Sequence, residues 1–421
     1  MSNKLICPTV HFIGIGGVGM NALAQLSKLF GFKVSGSDRG FNPNLSPYKE
    51  LLNKNIAITP QDGSNISNNI DYVVYSSAIE NDNLDLKKCK KLQLKCLHRS
   101  EFLKFLIPND AELIAVTGTA GKTTTTGLIG WIFEYAKLNP TVYNGASVLN
   151  WKNSNNLGNI RYGNKKLWII EADESDKSML KFNPTHAILT NIGKDHLPLK
   201  SLKKIFKKFE EQTAKIFQKT TFNADHVDEI KNNLIGKHNY ENIKIAYEFC
   251  INYGIDDKLI RNAIKKFSGI ERRLEFVGTF NHIKLYDDYA HNSMKICATI
   301  NSFQHNKKNV HAFWRPHGHA SFNNNYNDLI NIFSNFLKNN KGSIILLPIY
   351  YVGGTVCINR TSKDMYYELS KLYKNFYYAP NYQELKKIII KICSKGDVLI
   401  GMGARDPNIS SFIKNLKENE L

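Results

Sequence analysis

The chain has 421 residues, 42% hydrophobic, 22% charged and 11% aromatic, a globular profile with room for two to three domains at roughly 150 residues each. No run approaches the ~18 consecutive apolar residues of a membrane span, so disordered, fibrous and membrane-spanning classes are excluded. The 56 Lys and Arg against 37 Asp and Glu give a net charge of +19; alone it fits a nucleic-acid binder, an enzyme of polyanionic substrates or compositional drift, and the scattering of Lys and Asn favours drift.

Met1 to Pro8 run into a strand-like segment without the apolar region of a signal peptide, which predicts a cytoplasmic protein. Seven cysteines, at 7, 89, 96, 250, 297, 357 and 393, are odd in number and never form a CxxC pair, so neither a disulfide framework nor a structural zinc site is expected. The first strand, at 10–14, opens into Gly14-Ile15-Gly16-Gly17-Val18-Gly19 and a helix over 20–30. Glycines there allow a tight turn, and the helix start offers free N–H groups to a pyrophosphate. A second strand at 33–37 ends on Asp38, where a ribose-binding acid is expected. This pattern does not separate NAD from other diphosphate nucleotides, and a plain tight turn is the alternative.

A strand at 71–77 follows, and Pro108-Asn109-Asp110 marks a domain break. The next strand, 113–117, leads into Thr117-Gly118-Thr119-Ala120-Gly121-Lys122-Thr123-Thr124 and an apolar helix. Such a loop cradles phosphates: Lys122 offsets charge on the β- and γ-phosphates and the Thr123 hydroxyl ligates Mg²⁺, which predicts binding of ATP or GTP. Val116 replaces the first glycine of the full P-loop pattern. An apolar strand at 167–171 ends in Glu171-Ala172-Asp173-Glu174-Ser175-Asp176, whose four carboxylates suit a hard cation. The strand at 186–191 ends in Thr190-Asn191-Ile192-Gly193-Lys194-Asp195-His196, a place for a second ligand or a phosphate contact. Apolar positions at 199, 202, 205, 206, 209, 216 and 217 predict one amphipathic helix from Leu199 to Phe217 with a solvated basic face. A second break falls at 269–273, followed by strands at 310–314, 343–348 and 397–401. Continuous apolar strands alternating with helices give an α/β protein with mostly parallel sheets.

These motifs resemble the Mur ligases, the ATP-dependent amino-acid ligases of peptidoglycan precursor synthesis. The order is that of the family: the segment 14–20, GTAGKTTTT at 118–126, EADESD at 171–176, NIGKDH at 191–196, GKHNYEN at 236–242, FSGIERRLE at 267–275 and DDYAH at 287–291. The opening glycines, SGSD at 35–38 and EADESD are most similar to the branch that joins L-alanine to UDP-N-acetylmuramate. The resemblance covers nearly the whole chain. It implies a Rossmann-like UDP-substrate domain at 1–107, a central P-loop ATP-binding domain at 108–270 and a Rossmann-like amino-acid-binding domain at 271–421. It further implies UDP-substrate contacts from Gly16, Gly17, Val18, Gly19, Asp38, Ser76, Ser77 and Arg99. ATP contacts are expected from Gly118, Thr119, Gly121, Lys122, Thr123, Thr124, Asn239, Asn242, Arg272 and Asp287, with Mg²⁺ held by Thr123, Glu171 and His196. Tyr289, His317 and Arg405 are expected at the amino acid, and His291 is either the base for the ammonium or a structural hydrogen-bonding residue. The implied protein is a monomer or weak dimer that binds neither nucleic acid nor membrane.

The sequence departs from the family in four places. The stretch between 225 and 236 is short, which trims a small subdomain, and Pro198 stands where a further acid is usual. Gly318 and Ser321 stand where arginines that clamp the amino-acid carboxylate are expected, and Arg405 stands where a glycine is expected. Arg315, Arg360 and Arg405 are the replacement clamps available, so a different amino acid, a peptide, or a nucleotide-binding protein without ligase activity remain alternatives.

Overall fold

The computed structural model describes residues 7–193, 199–218, 230, 232–303, 309–351 and 359–418. His196, with Lys194, Asp195 and Pro198, lies outside the described residues, as do the trimmed stretch around 225 and Cys357. The α/β class is as the sequence predicts: three sheets, mostly parallel, with helices between the strands.

The first sheet contains β1 (Thr9–Ile13), β2 (Lys33–Ser37), β3 (Ala57–Thr59), β4 (Tyr72–Tyr75) and β5 (Cys96–His98), in the order β3-β2-β1-β4-β5, all parallel. The direction of strand addition reverses between β1 and β4, which opens a crevice at their C-terminal ends. The second sheet contains β6 (Glu112–Thr117), β7 (Pro140–Tyr143), β8 (Ile160–Arg161), β9 (Asn164–Glu171), β10 (His186–Leu189) and β11 (Lys215–Gln218), in the order β11-β10-β6-β9-β7-β8. Only β8 runs antiparallel there. The third contains β12 (Glu275–Phe280), β13 (Ile283–Asp288), β14 (Val310–Trp314), β15 (Ile344–Leu346), β16 (Phe376–Tyr378) and β17 (Val398–Met402), in the order β12-β13-β17-β14-β15-β16, with β12 antiparallel.

The chain forms two compact units, Met1–Asn233 with Glu241–Gly269, and Leu234–Tyr240 with Ile270–Leu421. The first two sheets share a unit and one continuous apolar core, in which Phe12, Val74 and Phe102 of the first sheet's layer join Trp168, Ile170 and Phe206 of the second. The third sheet has its own cores on its two faces.

The single helix expected from Leu199 to Phe217 is corrected. The helix ends at Glu211, and the chain turns through Gln212 and Thr213, whose amides bond to Phe209 and Glu210 carbonyls, before β11 begins. Ile216 and Phe217 are strand residues because the free edge of β10 takes Lys215–Gln218 as a parallel neighbour, so tertiary pairing overrides the helical spacing. Among the described residues no helix is long and apolar enough to cross a membrane.

Candidate active site

The glycine loop leaves the C-terminal end of β1 beside β4. Gly17 N-caps the helix Val18–Leu29 and its amide bonds to Gly14 O (3.1 Å). Asp38 is tied into this loop: it accepts from the amides of Gly16 (2.8 Å) and Gly40 (2.9 Å) and from the Tyr48 hydroxyl (2.9 Å). The acid thus shapes the loop, and its oxygens are engaged by the chain's own donors. Ser76 and Ser77 follow β4 on the other side of the crevice, Ser77 exposed.

Gly19 faces the second sheet. A Cβ there would lie 2.8 Å from the Tyr143 hydroxyl and 2.9 Å from Arg99 Nη1, so only glycine lets this helix approach so closely. Arg99 opens the helix Arg99–Leu106 and directs Nη2 at Asp176 (3.0 Å) and Asp173 (3.6 Å). Burial works against the Arg99 charge, but Tyr143, Asp176 and Asp173 outweigh it and raise its pKa. Burial likewise works against the Asp176 carboxylate, and hydrogen bonds from Ser178 and Arg99 overcome it and hold the group below its ordinary range.

The phosphate-type loop follows β6. Gly121 is left-handed (φ 87°) and N-caps the helix Lys122–Tyr135; a Cβ on it would collide with Asn242 Oδ1. Lys122 Nζ donates to Gly118 O (2.8 Å) and pairs with Glu174 (2.7 Å), with Asp173 at 3.9 Å. Burial disfavours its ammonium, yet Glu174, Asp173 and Glu171 hold its pKa above the ordinary value. Burial also lifts Glu174 above the usual carboxylate range even beside Lys122. Thr123 Oγ1 donates to Glu171 Oε1 (3.0 Å), and Gly145 N donates to Glu171 Oε2 (2.8 Å). From β10, Asn191 brackets Ala120, its Oδ1 3.1 Å from the amide and its Nδ2 2.9 Å from the carbonyl, while Thr119 and Gly193 bond mutually. Thr124 is buried in the first turn of the helix.

The expectation that all four acidic side chains of 171–176 gather for a cation is corrected. Glu171 faces Thr123, Glu174 faces Lys122, and Asp173 and Asp176 face Arg99, because three fixed cationic or hydroxyl partners compete for them. Among the described residues no group of three or more His, Cys, Asp or Glu converges on a metal position. The Thr123 hydroxyl and Glu171 carboxylate still fit Mg²⁺, which takes one or two protein oxygens and completes its shell with phosphate and water.

In the third sheet, β13, β17 and β14 lie side by side with Asp288, Met402 and Trp314 in register. Tyr289 and His291 follow β13, and the His291 ring lies 5.4 Å from Tyr289 and 5.5 Å from His317. His291 Nδ1 is 3.0 Å from Tyr289 O, which assigns the proton to Nδ1 and leaves Nε2 as an acceptor. Burial, then Lys295, push His291 down to about 3. Burial and then Arg405 lower His317. Arg272 (φ 56°) pairs with Asp287 (3.4 Å) and donates to Gly403 O and Ala404 O (3.2 Å), and its ring neighbour is Tyr289 at 5.4 Å. Asp287 also accepts from Ser410, and burial raises its pKa despite Arg272.

Thus the first unit brings Gly19, Arg99, Lys122, Thr123, Glu171 and Asn242 into one neighbourhood, and the second brings Tyr289, His291, His317 and Arg405 into another. Asn239 lies three positions before Asn242 on the helix Lys237–Tyr253, buried, with Nδ2 donating to Ile235 O (2.8 Å). Sequence reasoning did not find the bracing by Asn191 or the Glu174–Lys122, Asp173–Arg99 and Asp176–Arg99 pairs. Acidic spacing alone carries no sign of which cation each carboxylate meets.

The family described as Mur ligase, catalytic domain, matches residues 9–110, and the Mur ligase middle domain matches 116–219. A UDP-N-acetylmuramate–L-alanine ligase of Caldicellulosiruptor bescii is 32% identical over 94% of this chain and 96% of its own length. One from Wigglesworthia glossinidia brevipalpis is 31% identical over 100% of this chain and 98% of its own. Among solved structures, the UDP-N-acetylmuramate–alanine ligase of Thermotoga maritima superposes with a TM-score of 0.79 at 22% identity, over 97% of this chain and 98% of that one. A murein peptide ligase of Psychrobacter arcticus gives 0.67 at 19% identity, over 98% and 99%.

Proposed function

The chain belongs to the Mur ligase family, and from that premise we propose that it joins an amino acid, L-alanine first, to the carboxylate of UDP-N-acetylmuramate, consuming ATP with Mg²⁺ and releasing ADP and phosphate. The observation that carries this reading is identity above 30% along essentially the whole length to ligases of that name. The three sheets are read as the three domains 1–107, 108–270 and 271–421, for the UDP substrate, ATP and the amino acid, in a cytoplasmic enzyme.

A carboxylate is a poor electrophile. Its oxygen attacks the γ-phosphorus of ATP and ADP leaves; the neutral amine, its ammonium proton already lost to solvent, then adds to the acyl carbon, and the C–O bond breaks as phosphate leaves with the second nitrogen proton. Catalysis is positioning and charge neutralisation. Lys122 supplies charge to the phosphates by exchanging Glu174 and Gly118 O for phosphate oxygens, and the loop amides around Gly118–Gly121 cradle them. Mg²⁺, when bound, offsets phosphate charge at Thr123 and Glu171. Arg99 and the 16–19 loop, adjoining the same acids, take the anionic end of the UDP substrate. His291, neutral with Nε2 free of its proton, accepts a hydrogen bond from the incoming amine; at about 3 it is a weak base, so the positioning role is favoured. Gly318 and Ser321, in place of two basic residues, favour a second reading in which another amino acid or a peptide is attached.

Purified protein with ATP, Mg²⁺, UDP-N-acetylmuramate and a panel of amino acids tests this. The expected result is phosphate release and a product heavier by one alanine residue. If no amino acid yields a product heavier by its own residue mass, the ligase reading fails.

A further inference from the structure

Three parallel strands of the third sheet end on one rung, Asp288–Met402–Trp314, and each delivers a side chain three residues further on: His291, Arg405 and His317. Two of the three are imidazoles, with rings 5.5 Å apart. Both are held neutral by burial, so Arg405 is the cation among these three side chains. Buried His317 Nδ1 and, two residues on at the start of the helix His319–Asn324, His319 Nδ1 have no hydrogen-bond partner among the described residues.

The other arginines available as an anion clamp are committed. Arg315 pairs with Asp406 at 2.5 Å and lies between the Tyr350 and Tyr382 rings, 5.2 and 5.6 Å from their centres. Arg360 sits 4.3 Å over the Tyr326 ring. Arg273 stacks on Tyr289 at 5.2 Å. Arg405 is exposed, and its guanidinium has no hydrogen bond or ion pair among the described residues. Its backbone, in contrast, is fixed on both sides. Arg272 donates to the carbonyls of Gly403 and Ala404 just before it, and the Asp406 carboxylate just after it is held by Arg315, Tyr382 (2.6 Å) and Asn408 (3.0 Å). A free guanidinium on a rigid loop beside neutral hydrogen-bonding rings is a preorganised receptor for one carboxylate.

We propose that Arg405 binds the α-carboxylate of the incoming amino acid and that Arg272 is a positioning residue acting through the 403–404 carbonyls. This rests on the ligase reading above. The ligase assay on the unaltered protein is therefore run first, and product formation there separates the two questions. In steady-state kinetics, Arg405→Ala is expected to raise KM for the amino acid at least tenfold while KM for ATP and for UDP-N-acetylmuramate changes less than twofold. Arg405→Lys should recover part of the loss, since a lysine keeps the charge but not the bidentate fork. Ser321→Arg placed in the Arg405→Ala background should also lower that KM again. Arg272→Gln should raise the amino-acid KM, non-additively with Arg405→Ala. A rise in the ATP KM instead would overturn its positioning role and assign Arg272 to the nucleotide. An unchanged amino-acid KM in Arg405→Ala, or a tenfold rise in Arg273→Ala in its place, would overturn the proposal.

Discussion

At the residue scale, Lys122 and Glu174 define the resting state of the phosphate-type loop. Glu174 is 3% exposed and Lys122 Nζ is its cation, so the pair keeps an otherwise costly buried carboxylate satisfied until phosphates compete for the ammonium. Lys122→Met should abolish turnover and also destabilise the fold by about 2 kcal/mol at neutral pH, the cost of leaving a buried charge unpaired. The sign of its pH dependence follows from linkage. Burial already lifts Glu174, and without Lys122 its folded pKa rises further, so the variant keeps its stability below the unfolded carboxylate value near 4.5 and loses it as pH rises. Urea denaturation between pH 4.5 and 8 checks this. The deficit of Lys122→Met should widen with pH, and Lys122→Met/Glu174→Gln should remove most of it; a deficit that is constant with pH would mean the pair does not govern Glu174.

At the element scale, the strand–loop–helix from β6 to Tyr135 depends on Gly121. Its φ of 87° is strained for any L side chain, and the space a Cβ needs is filled by Asn242. Gly121→Ala is expected to weaken ATP binding at least tenfold, read by titration of the nucleotide, with a stability loss of about 1–2 kcal/mol. If affinity is unchanged, the loop does not need this geometry. Gly121 also shows why the loop was readable from sequence: a left-handed turn, a phosphate-facing lysine and a hydroxyl must occur at fixed local spacing. The acidic segment after β9 was readable only as acidic. Arg99, the partner of Asp176, lies 77 residues away, and Asn191, which brackets Ala120, lies 71 away, so no local pattern announces either contact. The segment from Leu199 to Phe217 failed in the opposite way. Its spacing is helical, but at Thr213 the chain leaves the helix, the hydroxyl donating to Phe209 O (2.8 Å), and the open edge of β10 claims the rest. Arg405 was visible as an odd residue, while the commitment of Arg315 to Asp406 needed the fold.

At the scale of the whole molecule, the first two sheets behave as one body because polar as well as apolar contacts cross between them. Asn159, just before β8, donates to Asn21 Oδ1 (2.6 Å) and to Val18 O (3.0 Å), and accepts from Gln25 Nε2 (3.0 Å). Asn159 is 2% exposed, and Asn21 and Gln25 on the helix Val18–Leu29 are equally shielded, so losing one member leaves its partners buried. Tyr143 adds a bond to Gly19 O (3.2 Å), and Lys181 pairs with Glu101 (3.0 Å). On the proposed function, the glycine loop at the UDP-substrate site is thereby held against the acids beside the ATP site, a fixed alignment that phosphoryl transfer from ATP to the substrate carboxylate requires. The third sheet has separate cores and belongs to the other unit. Differential scanning calorimetry should accordingly resolve two transitions. Asn159→Ala, which strands Asn21 Oδ1 and one Gln25 donor, should cost about 2 kcal/mol. At that cost a unit of this size drops by roughly 4–8 °C, and the other transition stays where it was. A single transition, or an equal fall in both, would mean that the polar lock between the first two sheets is not what defines the unit.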